Sequence, residues 1–271
     1  MRRPESEVFE ELLRRRGTGL AGDPGVEQEI FDAVFEMIDR AERLLLLDMF
    51  LFNEFQGSRP ETTRKLAGEL TDRLVMRISA NPGMQVFLLT DPINTVYGGM
   101  VSPQLARLRE AGVHVTITDL ARLRDSNSFY SAFWRLLAKP FGNSEGQLLP
   151  NPFGSGRVSL RSYLALANFK ANHRKVVVAD SPSGLVGLVT SANPHDGSSA
   201  HGNVALQFTG AAVLDLLAAE RAVMRFSGGP YSLLDNVLES VSPSGAREFE
   251  AASTLQIRVV TEQQIEQAAL E

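Results

Sequence analysis

A chain of 271 residues, 44% of them hydrophobic, carries enough apolar material for a substantial globular core. Its formal net charge of −5 argues against a surface built mainly to grip nucleic acid, and the absence of cysteine excludes disulfides, thiolate metal sites and cysteine nucleophiles. The charged opening MRRPESEVFEELLRRRG has no apolar signal region, and no apolar run approaches the ~20 residues needed to span a bilayer. A cytoplasmic protein that meets membranes only from outside is expected.

Residues 1–25 read as a charged helical tail ending in the loop signal GTGLAGDPG. In VEQEIFDAVFEMIDRAER, residues Ile30, Val34, Met37, Ile38 and Ala41 fall on one helical face. LLLLDMFLF has the length of a buried strand, interrupted by Asp48. A helix is expected over 61–79, a strand in MQVFLLTDP, and a short helix in SPQLARLREAG closed by Gly112. VHVTITDL alternates, with Val113, Val115 and Ile117 on one side and His114, Thr116 and Thr118 on the other. FYSAFWRLLAKPFG follows as a helix, then a loop rich in Gly, Pro and Asn over 142–157. NVALQFTG is a late strand and AAVLDLLAAERAVMRF a late helix. Alternating strands and helices indicate an α/β layered fold, with a sheet covered by helices.

Between those last elements and the loop stands KANHRKVVVADSPSGLVGLVTSANPHDG, Lys170 to Gly197. A strand starting at His173 alternates faces, so His173 and Lys175 project to one side and Arg174 to the other. GLVGLVT is the next strand, joined through the turn residues SPSG, and the two form a hairpin. The hairpin returns Ser191 and Asn193 to the end that carries His173 and Lys175. An imidazole, an ammonium, a hydroxyl and a carboxamide in one place suit a phosphate. The donors hold its oxygens while the imidazole attacks phosphorus or moves a proton.

The same residues resemble a known signature. His173-x-Lys175, four residues, Asp180, then Thr190-Ser191-Ala192-Asn193 is similar to the HKD motif of the phospholipase D superfamily, H-x-K-x4-D followed by G-S-x-N. IDRAERLLLLDMFLFNEF is similar to the opening strand of bacterial cardiolipin synthases and related phospholipase D-like proteins. In layout the resemblance covers most of 26–260, and its specific part is the single motif. Thr190 stands where glycine is usual, and the span from Asp180 to Ser191 is longer than usual.

The resemblance implies a phospholipase D-like lobe, a mixed β-sheet flanked by helices on both faces. It implies a phosphodiesterase or phosphatidyltransferase that acts on phospholipids through a phosphohistidine and needs no metal or other cofactor. His173, Lys175 and Asp180 are then the catalytic set, and Lys175, Ser191 and Asn193 hold the substrate phosphate. Where many members carry a glutamate that orients the histidine, this chain reads SSAHGNVAL, which leaves Asn203 or His201 for that role. The implied location is cytoplasmic and peripheral on the inner membrane. The motif also serves endonucleases, and a catalytically silent lobe used for binding or assembly is a further reading; the acidic net charge and the aromatic segment favour lipid over nucleic acid.

In that family two such motifs face each other, one histidine attacking phosphorus and the other protonating the leaving alcohol. Only one motif is complete here, since His114, His195 and His201 lack a lysine two residues on. The last residues bear on this. Thr261–Glu271 matches Val26–Glu36 at five of eleven positions, Glu27/Glu262, Gln28/Gln263, Ile30/Ile265, Ala33/Ala268 and Glu36/Glu271. The expected organisation is a tail over 1–25, a lobe over 26–253 and the start of a second lobe over 254–271. The partner is a missing C-terminal half or a second copy, and the chain alone is expected to be inactive.

Plainer readings stand beside these. Asp180 also reads as a structural hydrogen-bonding group. His195, Asp196 and His201 are metal ligands by type, yet their loop needs turn formers. Ser191 lacks the G-x-S-x-G surroundings of a hydrolase nucleophile. Asp91 and Asp119 end apolar strands, where an α/β sheet places its ligand crevice, and Asp119 is placed to cap LARLRD. FYSAFWRLLAKPFG is apolar on two faces, which predicts burial; membrane contact flanked by Arg135 and Lys139 is the alternative.

Overall fold

Leu44–Met49 is buried along its whole length, as a strand covered on both faces must be, and it forms β1 near the middle of the sheet. The computed structural model describes residues 29–57, 64–137, 139–168, 170–199 and 201–241. In chain order the other strands are Gln85–Thr90 (β2), His114–Ile117 (β3), Leu149–Pro150 (β4), Arg157–Val158 (β5), Lys175–Ser181 (β6), Gly184–Thr190 (β7) and Ala205–Thr209 (β8). Six strands make one sheet in the order β3-β2-β1-β6-β7-β8, and β4 pairs with β5 in a separate ribbon. β2 and β3 run parallel to β1, whereas β6 is antiparallel, with Lys175 opposite Met49. The sheet is therefore mixed, and the α/β class read from the sequence holds.

Seven helices occur among the described residues: Glu29–Arg40 (α1), Leu66–Ala80 (α2), Pro103–Glu110 (α3), Ser128–Leu137 (α4), Leu160–Leu166 (α5), Ala211–Phe226 (α6) and Tyr231–Val241 (α7). None is long and apolar enough to cross a membrane. The four leucines of β1 divide by parity between two cores. Leu45 and Leu47 pack with α1, α2 and α3, whereas Leu44 and Leu46 pack with α6 and α7. All four have no exposed surface, so truncating any one to alanine costs about 2–5 kcal/mol.

Local signals explain most boundaries. α1 carries Glu29 and Asp32 in its first turn and Arg40 in its last, matching the helix dipole, and buries Phe31, Val34, Phe35, Met37 and Ile38. Ser102 caps α3, with Pro103 at its first position, and Gly112 after it adopts a φ of 95°. Asp119 caps the short turn Leu120–Arg122, as its position before LARLRD suggested. Two helices went unread in the sequence, α5 and α7. The first opens on Ser159, whose side chain accepts from Ser162 N, and the second buries Leu234 and Val241.

One expectation is overturned. Of the residues in α4 only Ser131 is buried, while Phe129 and Leu136 are 94% and 74% exposed. Tyr130 and Trp134 are half-buried, and Tyr130 Oη donates to Leu164 O at 2.7 Å. One side of α4 thus rests on α5, and its other apolar side has no cover among the described residues. The tail over 1–25 and the segment 254–271 lie outside the described residues.

Candidate active site

The C-terminal ends of β1 and β2 and the start of β6 share one end of the sheet, the end where α/β folds place ligands. His173 stands there just before β6 and is exposed; Lys175, the first residue of β6, is 4% exposed. The two do project to the same side, as alternation required. Lys175 Nζ lies 3.3 Å from His173 Nδ1 and 2.9 Å from the His173 carbonyl oxygen. The Phe50 ring packs against both, 4.5 Å from the imidazole and 4.9 Å from Nζ.

Partial burial, and next the charge of Lys175, hold the His173 imidazole below its ordinary value, so it is neutral near pH 7. Burial likewise lowers Lys175, with the charge of Asp48 acting against it. The pair therefore combines a neutral imidazole with an ammonium that lacks a carboxylate contact among the described residues, a combination suited to an anionic ester.

Asn193 follows β7 at this same end. Its Oδ1 accepts from Leu51 N at 3.1 Å, which ties it to the segment after β1, and its Nδ2 makes no hydrogen bond among the described residues. Both amide hydrogens are left for a ligand.

Two other motif residues are occupied with structure. Asp180 sits at the far end of β6, roughly 20 Å from His173 at ~3.3 Å per residue. Its Oδ1 accepts the backbone N–H groups of Glu42, Arg43 and Leu44 at 3.0, 3.0 and 2.9 Å. It anchors the turn between α1 and β1, so the catalytic assignment of Asp180 is corrected to a structural one. Ser191 donates to Asn203 Oδ1 at 2.9 Å and accepts from Val204 N at 3.0 Å, so its hydroxyl secures the approach to β8 rather than a phosphate. Asn203 Nδ2 in turn donates to His201 O. Neither Asn203 nor His201 contacts His173 among the described residues, because both lie on the connection beyond β7.

The loop histidines show the same economy. His195 Nδ1 lies 3.0 Å from Ser198 Oγ, and Asp196 Oδ1 accepts from Ala67 N in the first turn of α2. Asp196 is thus committed to a helix terminus, where its charge is favourable.

What the motif did not disclose is the clamp on either side of His173. Asn172 donates its backbone N–H to Asp91 Oδ2 at 2.7 Å, and its Nδ2 reaches both oxygens of Asp48 at 2.9 Å and Thr118 Oγ1 at 3.0 Å. Arg174, on the opposite face as expected, donates to Glu220 Oε1 of α6 at 2.9 and 2.7 Å, and its Nε lies 3.8 Å from Asp48. Asp48, Asp91 and Glu220 have no exposed surface. Burial, and next the charge of Glu220, push the Asp48 carboxyl well above the usual range. Both neighbours of His173 are therefore fixed by buried groups, which holds the imidazole in place. The signal in sequence was Asp48 breaking an apolar strand; Glu220, buried inside a helix over forty residues away, left none.

Beside the site lies a cavity of about 360 Å³, whose wall includes Tyr97, Thr118, Trp134, Asn168 and Lys170. Thr118 links it to the site, since it accepts from Asn172. Lys170, with its side chain 5% exposed, is held by Asp125 at 2.5 Å and by Leu123 O at 2.7 Å. No protein-family model matches the chain, and no curated protein matches it.

Proposed function

We propose that this chain is a phospholipase D-like lobe that cleaves or transfers phosphodiesters of phospholipids, with His173 as its reacting imidazole. The observation that carries the reading is Lys175 seated on His173 at the open end of the sheet, with the free amide of Asn193 at the same end. Lys175 and Asn193 supply donors for two phosphate oxygens. In its present contact Lys175 occupies Nδ1, so the neutral ring carries its proton on Nε2. A phosphate that draws the ammonium onto its own oxygen frees Nδ1 to hold the proton, and Nε2 then has a lone pair to attack phosphorus.

Attack forms an N–P bond and breaks the bond from phosphorus to one alcohol, which leaves with a proton from a second imidazole. Water or another alcohol then gives its proton to that second imidazole and displaces His173. This chain contributes one imidazole to that sequence, and a second lobe or a second copy supplies the other. Val189, Val204 and Leu206, 40%, 66% and 42% exposed beside Ser191, are an uncovered apolar stretch where such a partner would pack. The cavity beside Thr118 is placed for the remainder of the substrate.

The test is turnover of a phospholipid diester by the partnered protein. His173→Ala is expected to lower it by about a thousandfold or more with the fold intact, and a chelator to leave it unchanged. Activity confined to DNA diesters would favour the nuclease reading, and activity that survives the substitution would exclude both.

A further inference from the structure

The uncovered side of α4 is the largest cluster of exposed apolar side chains among the described residues. Phe129, Phe133, Leu136 and Leu137 on the helix and Phe141 just after it are 94%, 51%, 74%, 55% and 69% exposed. Their surroundings are basic. Between residues 126 and 170 the chain has five basic residues, Arg135, Lys139, Arg157, Arg161 and Lys170, against one acidic residue, Glu145, in a chain whose net charge is −5. Arg135 and Lys170 are paired with Asp125. Lys139 and Arg161 have no carboxylate partner among the described residues, and the Arg161 guanidinium lies 5.8 Å from the centre of the Phe141 ring.

From this arrangement we infer that α4 and the Lys139–Phe141 turn dock on an anionic lipid bilayer, with the phenylalanines and leucines entering the acyl boundary and Lys139 and Arg161 meeting headgroup phosphates. An exposed apolar cluster rimmed by cations that lack a carboxylate partner among the described residues is the charge pattern such a surface complements. A second copy fits worse, because a two-fold contact sets the same cations against each other. Nucleic acid fits worse too, since two of the five exposed side chains, Leu136 and Leu137, offer no ring for a base to stack on and the chain's net charge is −5. The inference deepens the reading above, as it rests on a lipid substrate. It would place the cavity lined by Trp134, on the inner side of the same helix, against the membrane.

Trp134 is the only tryptophan in the chain, so its emission reports this helix alone. The full chain is mixed with phosphatidylcholine vesicles, with and without phosphatidylglycerol. The expected result is a blue shift and quenching by brominated acyl chains, strongest with phosphatidylglycerol. Phe129→Ser with Phe133→Ser should weaken binding at least tenfold, since burying a single ring is already worth about a factor of ten. Lys139→Glu with Arg161→Glu should abolish the preference for phosphatidylglycerol. Circular dichroism confirms the fold of each, and none of these side chains supports the core. Binding that is absent, or indifferent to both variants, overturns the inference. So does a dimer, or binding to a single-stranded oligonucleotide, that the phenylalanine variant dissolves in place of vesicle binding. The catalytic reading fails separately: His173→Ala should leave vesicle binding unchanged, and the phenylalanine variant should still form the phosphoryl adduct on His173 from a water-soluble p-nitrophenyl diester.

Discussion

Lys175 sits on His173, its ammonium 3.3 Å from Nδ1 and 2.9 Å from the carbonyl oxygen of the same residue. A cation so close to an imidazole disfavours the imidazolium, which adds to the larger effect of burial. Lys175→Met keeps the apolar stem and removes the charge. The His173 ring is then expected to titrate at higher pH than in the parent chain, while burial keeps it below the ordinary value near 6.5. A proton NMR titration of the ring reads this directly. An unchanged or lower midpoint would separate the two residues.

Asp180 belongs to the motif and not to the chemistry. Asp180→Ala removes the acceptor for three backbone N–H groups at the start of β1, at a cost of about 3 kcal/mol or more. Asp180→Asn keeps one oxygen for them and should cost less. Thermal unfolding gives both values. The folded fraction of each variant should react at His173 as the parent does, and a loss of reactivity in a fully folded Asp180→Asn chain would restore a catalytic role.

How much of this was legible depends on the range of the interaction. Alternation along one strand placed His173 and Lys175 together and Arg174 opposite, because the period of a strand is fixed by its backbone. The hairpin, and with it the return of Asn193, followed from SPSG between two apolar runs. The role of Asp180 was open in sequence, because its partners, Glu42 to Leu44, are nearly 140 residues away and are backbone groups that any sequence carries. Ser191 misled for a similar reason, its hydroxyl being satisfied by Asn203 and Val204 just before the next strand. The apolar faces of α4 were read correctly as faces, but period alone does not say whether another layer covers them. Asp91 was noticed for its place at a strand end, and its hold on Asn172 needed the third dimension.

Asp91 carries a dependence on pH that an unfolding experiment can read. Burial raises its carboxyl to about 6, with the N–H groups of Ile93 and Asn172 pulling the other way. A carboxyl ordinarily near 4 then binds its proton more tightly in the folded chain than in the unfolded one. Its contribution favours the fold below about pH 4 and is lost as pH rises towards 6, by up to about 3 kcal/mol for two pKa units. Asp91→Asn removes that titration, so denaturant unfolding across pH 4–6 should show a flatter profile for the variant. Parallel profiles would contradict the assignment.

If His173 attacks phosphorus as proposed, an ester whose leaving group needs no proton exposes that step on its own. p-Nitrophenolate departs unaided near neutral pH, so a single imidazole suffices for the first step even where the second is missing. Mixing the chain with a p-nitrophenyl phosphodiester should release a burst of p-nitrophenolate, at most one per chain, and leave an acid-labile phosphoryl adduct on His173 by mass spectrometry. The burst should vanish in His173→Ala. No burst, an adduct on another residue, or release that persists in His173→Ala would mean that His173 is not the nucleophile.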